Sequence, residues 1–138
     1  MSLRFDGLIS QSLSTHTKDV LANDDNETLY YYINLNAGWT FLDKYENNEK
    51  DFITTKNAIR AYSIGHDLES LNFIRSIFSQ IDSLIDIDFL EMNHDNGSDI
   101  DIFSVNYSST LSVNAVGQVI NQTTNLGSWS EILWKRTE

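Results

Sequence analysis

The chain has 138 residues, the size of one domain, and its 41% hydrophobic and 21% charged residues are ordinary for a globular fold. Nine Lys and Arg against 20 Asp and Glu give a formal net charge of -11, which argues against nucleic acid and anionic membranes as partners. The absence of cysteine excludes disulfides and thiolate chemistry, and no apolar run reaches the roughly 18 residues of a transmembrane helix.

The first part of the chain predicts one clear strand. Residues 1–26 are interpreted as an N-terminal lead-in, because their apolar residues show no sustained period. Thr28 to Leu35 alternates apolar and aromatic residues at every second position, which predicts a strand. Trp39 to Lys50 is interpreted as an irregular connection, and Phe52 to Ile64 as a segment that can hold a short helix.

An amphipathic helix of about 17 residues is the clearest predicted element, from Leu68 to Ile85, with Asp67 as its N-cap. Its apolar stripe is expected to pack on a sheet and consists of Leu68, Leu71, Ile74, Ile77, Phe78, Ile81, Leu84 and Ile85. Four strands are predicted after it, over residues 85–92, 99–107, 113–122 and 129–135. In the last of these strands, Trp129 and Trp134 are five residues apart and should face opposite ways, one in the core and the other exposed.

This order predicts an α/β (α+β) fold: a single twisted mixed sheet of about five strands with the long helix packed on one face. The first strand, the helix and the next strand form a β-α-β unit.

Candidate metal ligands are few. None of His16, His66 and His94 has a partner histidine at zinc-site spacing, so each is interpreted as a surface or turn residue rather than a ligand. Three aspartates crowd around Gly97 and are weak calcium candidates: Asp95, Asp99 and Asp101. They lack the Glu of a calcium loop, so an Asx-rich turn is the simpler interpretation. The pairs Asp86/Asp88 and Asp99/Asp101 are interpreted as the solvated face or rim of two strands.

The segment from Phe73 to Ser109 resembles the N-terminal part of serralysin-like zinc peptidases of the metzincin clan. In that family a long helix leads into a strand with a Phe-x-Glu-like pattern, and a polar turn then leads into the next strand. Phe89-Leu90-Glu91 and Ser98 to Ile102 stand at those places here. Leu29 to Asn34 is similar to the family's first strand, and residues 113–122 and 129–135 are similar to its fourth and fifth strands.

The resemblance covers most of the chain and implies that residues 27–138 are the upper, N-terminal subdomain of a secreted bacterial zinc metalloendopeptidase. The family's zinc-binding helix, H-E-x-x-H-x-x-G-x-x-H, follows the fifth strand, whereas this sequence ends at Glu138. The chain is therefore expected to be a truncated segment that is inactive as given, with no catalytic residue and no cofactor. Zinc and calcium are implied only for a full-length relative, and an extracellular location follows from the resemblance alone.

In the family, the fourth strand borders the substrate cleft, and extended substrate lies antiparallel to it. The resemblance therefore implies a peptide or protein partner, bound once the missing subdomain completes the site. The candidate residues of this substrate edge are Val113, Ala115, Gly117, Val119 and Asn121. Without the second subdomain, this edge and its apolar surroundings would face water, so self-association is also expected.

Two alternatives remain open from the sequence. The first is a non-catalytic acidic α/β module that holds a peptide or partner along the same edge strand. The second is a degenerate peptidase relative that serves as an inhibitor or pro-form.

Overall fold

The computed structural model describes residues 15, 16, 18–20, 27–42, 59–124 and 127–136. Within them the chain forms seven strands and the helix α1, and residues 15, 16 and 18–20 are also helical. The elements in chain order are β1 (Thr28–Ile33), β2 (Ala37–Phe41), β3 (Arg60–Ile64), α1 (Leu68–Asp82), β4 (Asp88–Met92), β5 (Ile100–Ser108), β6 (Gly117–Thr124) and β7 (Gly127–Lys135). None of the described helices is both long enough and apolar enough to cross a membrane.

One mixed sheet contains all seven strands, and β5 is its centre. Strands β4, β1, β5 and β7 lie side by side and parallel, and β6 joins the far edge of β7 in the antiparallel direction. β7 pairs along β5 from Ile100 to Val105, so β1 and β3 share the opposite edge of β5. β1 pairs with Ile100 to Ile102 of β5. β3, which is the inner strand of the β2–β3 hairpin, pairs with Val105 to Ser108 of β5.

Hydrophobic clusters cover both faces of this sheet. The first lies between α1 and the sheet and contains Tyr31, Ile33, Leu71, Ile74, Phe78 and Ile102. Its centre is a stacked pair, because the rings of Phe78 and Tyr31 lie 3.9 Å apart at an angle of 11°. The second cluster lies on the opposite face and contains Leu42, Ala61, Phe103, Val105 and Leu133. Side chains of β5 alternate between the two clusters, as expected for a central strand that is buried on both faces.

The predicted mixed α/β fold is confirmed, but the predicted number of strands is too small. Strand β2 lies where an irregular connection was expected, and β3 occupies the end of the expected short helix. These two strands are stabilised by pairing with each other and with β5, which is a non-local interaction that leaves no local period in the sequence. The remaining parts of those two segments, residues 43–50 and 52–58, lie outside the described residues.

Helix α1 is shorter than the predicted helix. It has 15 residues, begins after Asp67 as expected and ends at Asp82, with Ser83 as its C-cap. The predicted apolar stripe is also too wide, because only Leu71, Ile74 and Phe78 of the helix are buried. Most of the expected N-terminal lead-in lies outside the described residues, although His16 and Val20 are helical and buried.

Candidate functional site

An open apolar groove lies on the α1 side of the sheet, between α1 and β6. Phe73 and Ile77 of α1 form one wall, Val119 of β6 forms the other, and Ile132 and Trp134 of β7 lie between them. The groove has a volume of about 540 Å³, which is within the range of ligand-binding pockets. Its lining residues are Phe73, Ile74, Ile77, Phe78, Ile102, Val116, Gly117, Gln118, Val119, Ile132, Leu133 and Trp134.

Several large apolar side chains around the groove face solvent. Phe73 is 55% exposed, Val119 is 58% exposed and Val116 is 83% exposed. Sheets of parallel strands are normally covered by helices on both faces. Among the described residues, α1 packs on this face over Tyr31, Ile33 and Ile102, with Ile132 partly buried beside them. The groove is therefore an apolar surface of the kind that marks a docking site.

Strand β6 is the edge of the sheet beside this groove. It pairs with β7 along all eight of its residues, from Gly117 opposite Trp134 to Thr124 opposite Gly127, and no other described strand pairs with it. All eight of its residues are uncharged. The outer backbone of β6 is thus suited to strand addition, in which N–H and C=O groups pair with an extended segment.

Gly117 is required where β6 begins. A Cβ atom at this position would lie 2.8 Å from the carbonyl oxygen of Leu133, which belongs to the backbone of the neighbouring strand. A side chain here would therefore push β6 away from β7. Gly117 therefore allows the backbone of β7 to come close to that of β6.

The structure brings three of the five candidate edge residues together on β6. Gly117, Val119 and Asn121 alternate along the strand, and the Asn121 Oδ1 atom accepts a hydrogen bond of 3.1 Å from the Ser130 hydroxyl. The other two, Val113 and Ala115, precede the strand, which begins four residues later than predicted at its N-terminal end.

A turn before β6 accounts for this difference. The Ala115 N–H donates to the Ser112 carbonyl over 3.1 Å, and the Lys135 ammonium donates to the Val113 carbonyl over 2.6 Å. These bonds override the strand propensity of the branched residues around them.

The end of β7 is fixed beside the groove by Arg136. The Arg136 N–H donates to the Val105 carbonyl over 2.9 Å, and its guanidinium donates to Asp67 Oδ2 over 2.9 Å and to the Ser70 hydroxyl over 3.4 Å. Asp67 is also the N-cap of α1 and accepts from the Ser70 N–H over 2.8 Å. These hydrogen bonds lower the pKa of Asp67 to about 2, and those from Ser70 have a larger effect than the one from Arg136.

His66 lies in the loop before α1, with its ring 6.3 Å from the ring of Trp134. The His66 side chain is buried, and neither of its ring nitrogens makes a hydrogen bond of normal geometry. Two influences act on its pKa: burial lowers the pKa, and the nearby Ile102 carbonyl raises it. Burial is the larger influence and lowers the pKa of His66 below 6.5.

The other two histidines differ in their surroundings. His16 is buried and lies 3.1 Å from the Ser130 hydroxyl, whereas His94 is exposed. The interpretation of all three as surface or turn residues is therefore wrong for His16, which is helical.

Asp99 and Asp101 do not form a solvated strand face, so that interpretation is wrong for this pair. Both are buried, because Asp101 is the second residue of the central strand β5 and Asp99 immediately precedes that strand. Asp99 Oδ2 accepts from the Tyr30 N–H over 2.8 Å, and Asp101 Oδ1 accepts from the Ser98 hydroxyl. In contrast, Asp86 and Asp88 are exposed, as expected.

No group of three His, Asp or Glu side chains within the described ranges could hold a metal ion. Two of the three calcium candidates, Asp99 and Asp101, bind protein N–H or O–H groups instead. The described residues therefore fit neither a zinc site nor a calcium site.

A buried carboxylate pair was not expected from the sequence. Asp101 of β5 lies opposite Glu131 of β7 in the sheet register, and each is 1% exposed. The indole N–H of Trp129 donates to Glu131 Oε1 over 2.7 Å. This polar cluster lies on the face of the sheet opposite α1, away from the groove, because its residues share the side of Leu133 rather than of Ile132.

Sequence reasoning also missed the groove residues of α1. Phe73 lies outside the predicted apolar stripe of the helix. A large apolar residue at a position expected to face solvent is the sequence feature that could have indicated a docking surface. Ile77 was assigned to the buried stripe, yet it is 39% exposed and lines the groove.

Comparisons of the chain with protein-family models, with curated proteins and with solved structures found no match.

Proposed function

We propose that this chain is the upper, N-terminal subdomain of a secreted serralysin-like zinc metalloendopeptidase, and that β6 is the edge along which an extended peptide binds. The observation that carries the proposal is the position of β6. It is antiparallel to the strand beside it, uncharged, and lies at the edge of a set of parallel strands next to an apolar groove.

The order of the elements supports this proposal. β1, α1, β4, β5, β6 and β7 follow one another as the resemblance expects, with the β2–β3 hairpin inserted between β1 and α1. The strand at the family's fourth place is β6, and it lies at an edge of the described sheet. In the proposed peptidase, this edge borders the cleft.

The groove supports the proposal because its lining is mostly apolar. The apolar stripe of an amphipathic helix would find apolar partners in Phe73, Ile77 and Val119. Arg136 holds the end of β7 at the N-terminus of α1, close to Trp134 of the groove. A helix that follows β7, as the zinc-binding helix does in the family, would start beside this groove.

The role of the chain's own residues is to bind and orient an extended peptide. The outer N–H and C=O groups of β6 would pair with the peptide backbone, as in strand addition. Side chains at every second peptide position would contact Val119 and the groove. Zinc would supply the hydrolytic chemistry in a complete relative, and no residue described here is assigned to that step.

The DNA immediately downstream of the codon for Glu138 tests the peptidase proposal. We expect it to encode H-E-x-x-H-x-x-G-x-x-H, either in frame or after a frameshift. If neither frame encodes this motif, the peptidase proposal is wrong.

A stand-alone peptide-binding module is the second candidate function. The observation in its favour is that the uncharged strand β6 and the apolar groove lie side by side within the described residues. An NMR titration with extended peptides that carry apolar residues at alternate positions tests this function. We expect amide shifts along β6 that Val119→Lys abolishes and that Leu90→Lys, on the opposite edge strand β4, leaves unchanged. The absence of peptide-induced shifts along β6 would contradict this function.

A further inference from the structure

Three rings connect the interior of the protein to the groove. The His66 ring lies 6.3 Å from the Trp134 ring, which in turn lies 6.4 Å from the Phe73 ring. Exposure rises along this row, from 9% for His66 to 37% for Trp134 and 55% for Phe73. Trp134 and Phe73 line the groove, whereas His66 contacts Trp134 without lining the groove itself. The position of Trp134 in the groove therefore depends on the His66 side chain.

The backbone on both sides of His66 is fixed. Gly65 has a φ of 71°, and a Cβ atom there would lie 2.6 Å from the Leu35 carbonyl oxygen, so this turn requires glycine. The Gly65 N–H donates to the Ser63 hydroxyl over 3.2 Å. On the other side of His66, Asp67 is the N-cap of α1. A structural change at His66 is therefore expected in its side chain and in the rings that contact it, rather than in the backbone.

The buried position of His66 suits a neutral ring only. Both ring nitrogens are buried, and neither makes a hydrogen bond of normal geometry with a described residue. An imidazolium carries a charge and two N–H donors, and burial without partners disfavours both. Burial is accordingly the main influence on the pKa of His66, and it lowers that pKa. Protonation therefore favours a conformation in which the ring reaches water.

The groups that face His66 come from three elements. Strand β5 contributes the Ile102 carbonyl, which is an uncharged acceptor. Arg136, immediately after β7, disfavours a second positive charge, and Asp67 at the start of α1 favours it less strongly. The Asp67 carboxylate already accepts from the Ser70 N–H over 2.8 Å and from Arg136 over 2.9 Å. Asp67 is thus committed to other donors and does not neutralise a buried imidazolium.

We propose that protonation of His66 opens the Trp134 end of the groove. The charged ring turns out of its buried position towards water, and Trp134 and Phe73 are displaced because the three rings form one row of contacts. The groove thus keeps this wall only while His66 is neutral. The inference does not rest on the proposed function, because it concerns the rings of this chain and needs no peptide, metal or second subdomain.

An NMR titration of the full, isotopically labelled chain from about pH 7.5 to about pH 5 tests the inference. We expect the His66 ring signals and the Trp134 indole N–H signal to change with one midpoint, which lies below pH 6.5. Nuclear Overhauser contacts between the rings of His66, Trp134 and Phe73 should be lost across that midpoint. The Trp39 indole signal, from strand β2, is the internal control and should not follow it.

Three results of this titration would overturn the inference. The first is a Trp134 signal that stays constant or has a midpoint different from that of His66. The second is a set of ring contacts that survives below the midpoint. The third is the loss of all native signals at the midpoint, because the whole chain would then unfold instead of the groove wall alone.

A matched pair of variants tests the role of the neighbouring charge. Arg136→Gln removes the charge that disfavours protonation of His66 and releases Asp67, so the midpoints of His66 and Trp134 should shift together to higher pH. Arg75→Gln is the control, because it removes an equal charge from the exposed ion pair with Glu91 and should leave both midpoints close to those of the wild type. Equal shifts in the two variants, or a shift of only one of the two signals, would contradict the inference.

A variant that lacks the titrating group completes the test. His66→Phe keeps an aromatic ring beside Trp134 but does not take up a proton, so the Trp134 signal should become independent of pH in this range. A Trp134 signal that still changes with the wild-type midpoint would show that another group is responsible. Because Arg136→Gln retains His66, it decides the question even where His66→Phe fails to fold.

Discussion

At the scale of single residues, His66 makes the free energy of unfolding depend on pH. Burial lowers the pKa of His66 from 6.5, so the unfolded chain binds a proton at a pH where the folded chain does not. The stability contributed by neutral His66 is thus present above pH 6.5 and is lost as the pH falls through the lower folded value.

We expect urea unfolding to show a free energy that falls as the pH is lowered from above 6.5 to about 5. His66→Leu should remove part of this slope when it is compared with the wild type under the same conditions. A His66→Leu variant with the wild-type slope would show that another group is responsible.

Gly117 gives a second prediction at this scale. Gly117→Ala places a Cβ atom 2.8 Å from the Leu133 carbonyl oxygen, and a backbone atom in a paired strand cannot move aside easily. We expect a loss of about 1–3 kcal/mol of unfolding free energy, as for overpacked sites. The control is Val119→Ala at an exposed position of β6, which should cost under about 1 kcal/mol. Similar losses for the two variants would contradict the proposed close contact.

At the scale of elements, α1 presents two phenylalanines to different surroundings. Phe78 is buried and stacks on Tyr31, whereas Phe73 is 55% exposed at the groove. Phe78→Ala should therefore cost about 3–5 kcal/mol in chemical denaturation. Phe73→Ala should cost less, under about 1 kcal/mol, because more than half of its surface stays in contact with water. Equal effects would mean that α1 packs on the sheet through a different face.

At the scale of the whole molecule, net charge opposes the compact state. A chain with a net charge of -11 repels itself when it folds, and salt screens this repulsion. We expect the melting temperature to rise between low and moderate NaCl concentration. The Arg75–Glu91 ion pair, at 2.7 Å, would have the opposite salt dependence, but exposed pairs contribute little.

The variant Asp86→Lys tests the origin of this salt effect. Asp86 is exposed, and its replacement changes the net charge from -11 to -9. Its melting temperature should therefore rise less with added salt than that of the wild type. A melting temperature that falls with salt in both proteins would mean that attractive ion pairs outweigh the net repulsion.

Local patterns in the sequence were sufficient to predict much of the fold. Strands β1, β4, β5, β6 and β7 follow from alternation, and the start of α1 follows from its helical period and from Asp67 as N-cap. The five-residue spacing of Trp129 and Trp134 correctly predicted one buried and one partly exposed ring. Such features depend on the backbone geometry of a single segment, which repeats every 2 or about 3.6 residues and is therefore visible in the sequence.

The remaining features depend on which segments become neighbours. Pairing with β5 forms the β2–β3 hairpin, and the central position of β5 buries Asp101 beside Glu131. Similarly, the groove and the bond between Arg136 and Asp67 join positions that are far apart in the chain. The sequence alone determined the period and polarity of each element, whereas the tertiary structure decided strand order and hence which apolar faces are covered. Strand order arises from long-range packing, which no local repeat records.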